Sequence, residues 1–110
     1  MEKWLLTVET NCNDPSQEKE FNDWYDNTHL RDVLSISGIQ RAARYESGNP
    51  VEGQGKFLAL YEIETEDALQ VLAELSEGMT KWTEQGRVSE LITILSANLY
   101  RQITAPVESK

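Results

Sequence analysis

The side chains best suited to chemistry in this 110-residue sequence lie between residues 21 and 45. The single histidine, His29, follows Tyr25 by four residues and Trp24 by five, so a helix over this stretch gathers all three rings on one stripe. An imidazole titrates near neutrality, which suits proton transfer without a metal, and a phenol one turn away can polarise a substrate. We therefore expect His29 to act as a general acid/base and Tyr25 as its catalytic partner.

The same histidine also has a purely structural interpretation. Buried histidines occur in protein cores with a ring nitrogen bonded to a backbone carbonyl or to a carboxylate. Trp24, taken alone, is more simply a core residue than a ligand contact. The residues by themselves do not separate these interpretations of His29, and both stay open at this point.

Further side chains are candidates for the wall of a substrate pocket beside His29. Arg44 can bind a planar anion through its guanidinium, although a strand arginine more often pairs with a neighbouring acid, here Glu46 or Glu62. Strand tyrosines need partners for their hydroxyls when buried, so they fit either a pocket or an interface. The candidate substrate-binding residues are Trp24, Arg44, Tyr45, Phe57, Tyr61 and Trp82.

Composition excludes several classes of function. The net charge is −9, with 19 acidic and 10 basic residues, so the surface repels phosphate backbones and anionic lipid. We therefore expect neither nucleic acid nor membrane as a partner. The first residues carry no basic region followed by a cleavage pattern, and no stretch has the length of a membrane span. A cytoplasmic location is the resulting expectation.

The sequence also predicts no metal and no cofactor. Its one cysteine, Cys12, excludes an intrachain disulfide and a thiolate-cluster metal site. One histidine with scattered carboxylates offers too few good ligands for zinc or iron. The glycine-containing segment 53–55 is not followed by the helix that a phosphate-binding loop requires. Chemistry in this chain should therefore depend on its own side chains.

Hydrophobic periodicity predicts the elements that position these residues. The first helix should begin at Asp14-Pro15 and run to about Ile36, and a second should begin at Thr65 and end at Gly78, followed by a short helical turn carrying Trp82. The resulting order is βαββαβ, the split-βαβ arrangement of a ferredoxin-like α+β domain over residues 1–104, with a flexible tail over 105–110. The predicted strands cover residues 3–9, 39–47, 56–64 and 90–103.

Strands two to four are partly apolar on both faces. Simple alternation puts Ile39, Ala43 and Tyr45 on one face of strand two. In strand four it puts Leu95, Ala97 and Leu99 on the same face as one another. Two helices can cover only one face of a four-stranded sheet, so the other face needs a partner. The simplest partner is a second copy, and we expect a homodimer closed sheet to sheet.

The run F-N-D-W-Y-D-N-T-H-L-R-D-V-L, followed by G-I-Q-R-A-A-R-Y-E, resembles the dimeric α+β-barrel superfamily, and within it the EthD-like proteins. This resemblance implies a four-stranded antiparallel sheet and a dimeric α+β barrel. It leaves the reaction open, since the superfamily contains cyclases, monooxygenases, lactone isomerases, dehydratases and haem enzymes. The residues that match the pattern are Trp24, Tyr25, His29, Leu30, Gly38, Arg44 and Tyr45.

Three functions follow as expectations. The first is a small cofactor-independent enzyme, of cyclase, dehydratase, isomerase or monooxygenase type, acting on a hydrophobic metabolite with a carbonyl or phenol group. In it His29 moves the proton and Tyr25 donates a hydrogen bond. The second is a non-catalytic dimeric protein that binds the same small hydrophobic ligand or serves as an accessory protein. The third is a haem-binding protein with His29 as the iron ligand.

Overall fold

The sheet and its helices have the predicted ferredoxin-like arrangement. The structure, a computed structural model, describes residues 1–110. All strand pairs are antiparallel, the strand order is β2-β3-β1-β4, and the order of elements along the chain is βαββαβ, which confirms the predicted α+β fold. The strands are β1 (Glu2–Cys12), β2 (Ile39–Glu46), β3 (Phe57–Thr65) and β4 (Ile92–Arg101).

The first helical region is built from four consecutive pieces. A 3₁₀ turn (Pro15–Gln17) is capped by Asp14, whose side chain accepts from the backbone N–H of the second turn residue. It leads into α1 (Glu18–Trp24), a π-helical turn (Tyr25–His29) and α2 (Leu30–Leu34). Sequence periodicity predicted one continuous α-helix here. A π turn within an α-helix is rare and is found most often at functional sites.

The second helix, α3 (Ala68–Glu84), runs through Gly78, so the predicted break at this glycine is wrong. The ring of Trp82 lies over Gly78, and a Cβ at that position would come within 2.9 Å of two ring carbons. The glycine therefore makes room for an indole instead of ending the helix. The helix also begins two residues later than predicted, because Asp67 and not Thr65 caps it, with its carboxylate accepting from the N–H of the third helical residue.

A β-bulge in β2 changes which of its residues face the helices. The register against β3 shifts between Ile39 and Arg41, so one extra residue is accommodated on β2. Ile39, Ala42 and Arg44 consequently pair with the buried side of β3. The predicted grouping of Ile39 with Ala43 and Tyr45 is wrong, because strict alternation does not survive a bulge.

A second irregularity has the same effect in β4. The register against β1 shifts opposite Glu9 and Thr10, after which Ala97 pairs with Val8. The predicted grouping of Leu95 with the other odd-numbered residues is therefore wrong. The β4 residues that share the helix-covered face are Ile92, Ile94, Ala97 and Leu99.

The core lies between the helices and one face of the sheet. Its most deeply buried members are Phe21, Tyr25, Tyr61, Ile63 and Val33. Residues 102–110, after β4, form no helix or strand and are exposed. None of the helices has the length and apolar character needed to cross a bilayer.

Candidate functional site

A cavity of about 170 Å³ lies between the helices and the covered face of the sheet. The only side-chain nitrogen and oxygen atoms among its lining residues belong to His29, Tyr25 and Tyr61. It is therefore an apolar chamber with one polar region, as ligand sites usually are. Its walls are Leu6, Val8, Tyr25, His29, Val33, Tyr61, Leu72, Leu75, Met79, Ile92, Ile94 and Ala97.

The π turn brings Tyr25 and His29 to the same wall of this cavity. The backbone N–H of Leu30 donates to the carbonyl of Tyr25, the i to i+5 bond that widens the helix locally. Both side chains are buried, Tyr25 at 1% and His29 at 5% exposure. Two side chains on the interior side of a helix, not on a loop, have their relative geometry fixed by packing.

Three aromatic rings surround the imidazole of His29. Trp24 stacks on it with centroids 4.9 Å apart and planes 20° from parallel, and Tyr25 meets it edge-on at 4.9 Å. Trp82 contributes a further edge at 6.4 Å. The ring nitrogens make no hydrogen bond within the protein, so no carbonyl or carboxylate holds the ring as the structural interpretation would require. Neither nitrogen is among the fully buried side-chain atoms that lack a partner, which are Trp4 Nε1 and Arg44 Nε. The nitrogens of His29 are left for a molecule in the cavity.

Burial lowers the pKa of His29 to about 4, with the positive charge of Arg44 adding a smaller decrease. The carboxylate of Asp32 opposes this shift of the pKa but does not overcome it. The imidazole is thus neutral at pH 7, whereas its ordinary value would leave it partly protonated. At neutral pH His29 can therefore accept a proton but cannot supply one.

The hydroxyls of Tyr25 and Tyr61 lie 3.5 Å apart beside the cavity. Burial raises the pKa of both phenols above the ordinary value of 10. Both therefore stay protonated at neutral pH and act as hydrogen-bond donors, not as bases. The polar region of the cavity consists of one neutral proton acceptor and two neutral hydroxyls.

Arg44 lies behind Tyr25 and not in the cavity wall. Its guanidinium carbon is 4.1 Å from the centroid of the Tyr25 ring, a cation–π contact. Its terminal nitrogens donate to Asp26 and to Asn22, each at 2.9 Å, while its Nε is buried without a partner. The β2 bulge explains this position, since it turns Arg44 toward the helices.

The expected pairing of Arg44 with Glu46 or Glu62 is wrong for the same reason. Glu62 is bound instead by Arg41, through two hydrogen bonds of 2.9 and 3.0 Å on the open face of the sheet. Alternation counted from the buried Ile39 places Arg41 toward the helices and Arg44 on the open face, and the bulge reverses both assignments.

The remaining candidates surround the cavity or lie away from it. Trp24 and Trp82 contact His29 from behind, and Trp24 also donates from Nε1 to the carbonyl of Arg87 at 2.8 Å. Phe57 packs against Phe21 in the core, 5.7 Å between centroids. Tyr45 lies on the opposite face of the sheet and is 53% exposed, so it takes no part in this site.

Sequence reasoning missed the half of the wall that comes from α3 and β4. The α3 contribution (Leu72, Leu75 and Met79) had a signal, because these residues follow helical spacing on one face. The β4 contribution had a weaker one, since Ile94 and Ala97 share a face only through the bulge. No group of three or more histidine, cysteine, aspartate or glutamate side chains is placed to hold a metal ion.

Solved structures of other proteins share the fold described above. The chain superimposes with a TM-score of 0.68 on a dimeric ferredoxin-like protein from an uncultured marine organism, at 12% identity over 96% of this chain and 100% of that one. The chain has the ferredoxin-like fold of that protein. An EthD family protein from Bacillus halodurans C-125 matches with a TM-score of 0.57, at 17% identity over 94% of this chain and 100% of that chain. A candidate monooxygenase from Shewanella loihica PV-4 matches with a TM-score of 0.59, at 14% identity over 96% and 99%.

Sequence comparison gives one partial relative. The core atranone cluster protein 1 of Stachybotrys chlorohalonatus is 39% identical over 61 residues, which is 54% of this chain and 26% of that protein. The chain thus matches about a quarter of the relative's length. No protein-family model matches the sequence.

Proposed function

We propose that this protein is a small cofactor-independent enzyme that moves a proton on a hydrophobic metabolite carrying a carbonyl or phenol group. The observation that carries the proposal is His29, whose ring lines an apolar cavity and makes no hydrogen bond within the protein. An imidazole nitrogen that the protein does not engage is available to accept a proton from a ligand. The likeness to an EthD family protein and to a candidate monooxygenase supports an enzyme of this general kind.

The arrangement supports one type of step best. The neutral imidazole of His29 takes a proton from the carbon next to a carbonyl, or from a phenol, and the electron pair moves onto oxygen. Tyr25 donates a hydrogen bond to that oxygen, with the Tyr61 hydroxyl 3.5 Å behind it. Negative charge develops on the substrate oxygen in this low-dielectric cavity, and it raises the pKa of the adjacent imidazole. His29 therefore becomes a stronger base as it takes up the proton. Cyclisation, isomerisation and dehydration can each begin from this enolate.

The test uses hydrogen exchange on a simple ketone. Cyclohexanone in D₂O exchanges its α-protons slowly, and NMR follows the loss of their signal with the purified protein added. We expect His29→Gln to lower the catalysed rate about 100-fold and Tyr25→Phe about 10-fold. Tyr45→Phe is the matched control, since that phenol lies on the other face of the sheet. A His29→Gln variant that exchanges cyclohexanone at the wild-type rate would contradict the proposal.

A non-catalytic ligand-binding protein is the second candidate, and the low pKa of His29, about 4, favours it. Native mass spectrometry of the purified protein, with a visible absorption spectrum, identifies what occupies the cavity. A bound compound without ketone exchange by the wild type supports binding alone. A Soret band would support the haem interpretation, although a haem needs far more room than 170 Å³ and the rings around His29 would have to separate.

We also propose that two copies pair through the open sheet face. This face holds a broad groove lined in part by Leu5, Ala43, Tyr45, Leu60 and Tyr100, and both tyrosines are more than half exposed. An exposed apolar patch on a sheet marks an interaction surface. The similarity to a dimeric ferredoxin-like protein supports a second copy as the partner.

A further inference from the structure

The cavity beside His29 is small for a ligand site. It measures about 170 Å³, whereas small-molecule sites usually span roughly 300 to 1,000 Å³. An engineered apolar cavity of about 150 Å³ in another protein is large enough to bind benzene. The space here therefore matches one ring with a small substituent better than two fused rings.

The polar atoms of the cavity limit the chemistry of that ring. The hydroxyls of Tyr25 and Tyr61 lie 3.5 Å apart, the ring of His29 meets that of Tyr25 edge-on, and every other lining side chain is apolar. No charged side chain reaches the cavity, and an ion buried there would have no partner. A ligand that satisfies these groups is uncharged and carries one oxygen function at one end.

The cavity opens to solvent at β4, the edge strand beside β1. Ile94 and Ala97 are the only lining residues that are exposed, Ile94 at 48%, while Tyr25 and Tyr61 at the far end are 1% and 2% exposed. The bulge places both β4 side chains toward the helices although they are three positions apart in the sequence. Ile94 is the larger of the two, so it narrows the opening.

We propose that the site takes uncharged single-ring compounds with one phenolic or ketonic oxygen, and that Ile94 sets the size limit at the mouth of the cavity. This inference rests on the proposed function, because it names the substrate class of the same site. It adds a residue that determines specificity without contacting the reacting atoms.

Binding of three probes tests the inference. The probes are 4-methylphenol, toluene and 2-naphthol, and tryptophan fluorescence or ligand-detected NMR gives their dissociation constants with the full chain. We expect 4-methylphenol to bind about 5-fold tighter than toluene, the worth of one buried hydrogen bond. We expect 2-naphthol, despite its greater hydrophobicity, to bind at least 10-fold more weakly than 4-methylphenol.

Variants at the mouth then locate the size limit. Ile94→Ala should bring the dissociation constant of 2-naphthol to within 3-fold of that of 4-methylphenol. Ile94→Trp should raise the dissociation constant of 4-methylphenol at least 10-fold. Leu95→Ala is the matched control, because Leu95 is a neighbour on the same strand, is 43% exposed and does not line the cavity. Thermal unfolding of each variant confirms that the fold is retained.

Each outcome decides the question. Equal binding of 2-naphthol and 4-methylphenol by the wild type, equal effects of Ile94→Ala and Leu95→Ala, or no binding of any probe would overturn the inference. Size-selective binding without exchange of cyclohexanone would support it and contradict the proposed function. Exchange that depends on His29 together with unselective probe binding would leave the function standing and overturn the size limit.

Discussion

The imidazole of His29 and the indole of Trp24 are stacked, with centroids 4.9 Å apart and planes 20° from parallel. Trp24 is held in turn by its hydrogen bond to the carbonyl of Arg87, just after α3. The Arg87 side chain binds Asp32 through two hydrogen bonds of 2.8 and 2.9 Å. One residue therefore fixes the stacking partner of His29 and also engages the carboxylate that raises its pKa. The segment after α3 thus contacts both the stacking partner of His29 and the carboxylate that opposes the lowering of its pKa.

His29 should titrate well below an ordinary histidine. As the only histidine, it gives an unambiguous ring proton signal in NMR, and we expect a midpoint near pH 4. The physical reason is desolvation, since the charged imidazolium cannot recover its hydration inside the aromatic enclosure. A midpoint near 6.5 would show that water hydrates the ring and would contradict the burial of His29 by the surrounding aromatic rings.

The depressed pKa of His29 also predicts a loss of stability in acid. The unfolded chain binds the proton near pH 6.5 and the folded chain near pH 4, so protonation favours unfolding within this window. The stability that the neutral His29 allows is fully present above pH 6.5. As the pH falls from 6.5 toward 4, the free energy of unfolding decreases by up to about 3 kcal/mol. Denaturant unfolding at pH 7, 5.5 and 4.5 should show a shallower decline for His29→Gln than for the wild type. Parallel curves would contradict the assignment.

Two arginines of β2 should differ sharply in their contribution to stability. Arg44 has a side chain only 11% exposed, packs on the Tyr25 ring and bonds Asp26 and Asn22, so Arg44→Met should cost about 2 kcal/mol. Arg41, with its partner Glu62, is largely exposed, so Arg41→Met should leave the denaturation midpoint unchanged. Equal effects of the two substitutions would show that the guanidinium of Arg44 does not support Tyr25.

The sequence was sufficient for the order of elements and for the buried stripe of the first helix, because both depend on periodicity. Phe21, Tyr25, His29 and Val33 repeat every four residues and are all buried. A repeat of four residues matches the helix better where one turn widens to a π turn, as it does over Tyr25–His29. The residue types alone did not predict this π turn.

The direction of strand side chains was not predictable in the same way. One extra residue in a strand inverts everything after it, as happens between Ile39 and Arg41. No residue at this bulge is a glycine or proline that would announce it. The contents of the cavity wall therefore required the structure, although the pair at its centre, Tyr25 and His29, did not.

Gly78 should resist the substitution that normally stabilises a helix. Alanine in place of an interior glycine usually gains about 1 kcal/mol. Here its Cβ would lie 2.9 Å from the Trp82 ring, so Gly78→Ala should instead cost about 1 to 3 kcal/mol and move an indole that contacts His29. Urea unfolding measures the cost, and Glu77→Ala on the exposed side of α3 is the control. A stabilised Gly78→Ala protein would mean that Trp82 has another place to pack.

Leu60 tests whether the open sheet face is the surface that joins two copies. Leu60 is on β3, where it pairs with Thr7 of β1 on one side and Ala43 of β2 on the other. It therefore lies at the middle of the open face, away from the cavity. A carboxylate buried there between two copies would cost free energy of association, because the nearby Arg41 guanidinium is already bound to Glu62. Leu60→Glu should therefore convert a particle of twice 12.6 kDa into one of 12.6 kDa by light scattering. Leu69→Glu is the matched control, because Leu69 is 75% exposed on α3 and lies outside this face. A Leu60→Glu protein that keeps the doubled mass, or a wild type already at 12.6 kDa, would exclude this face as the dimer interface.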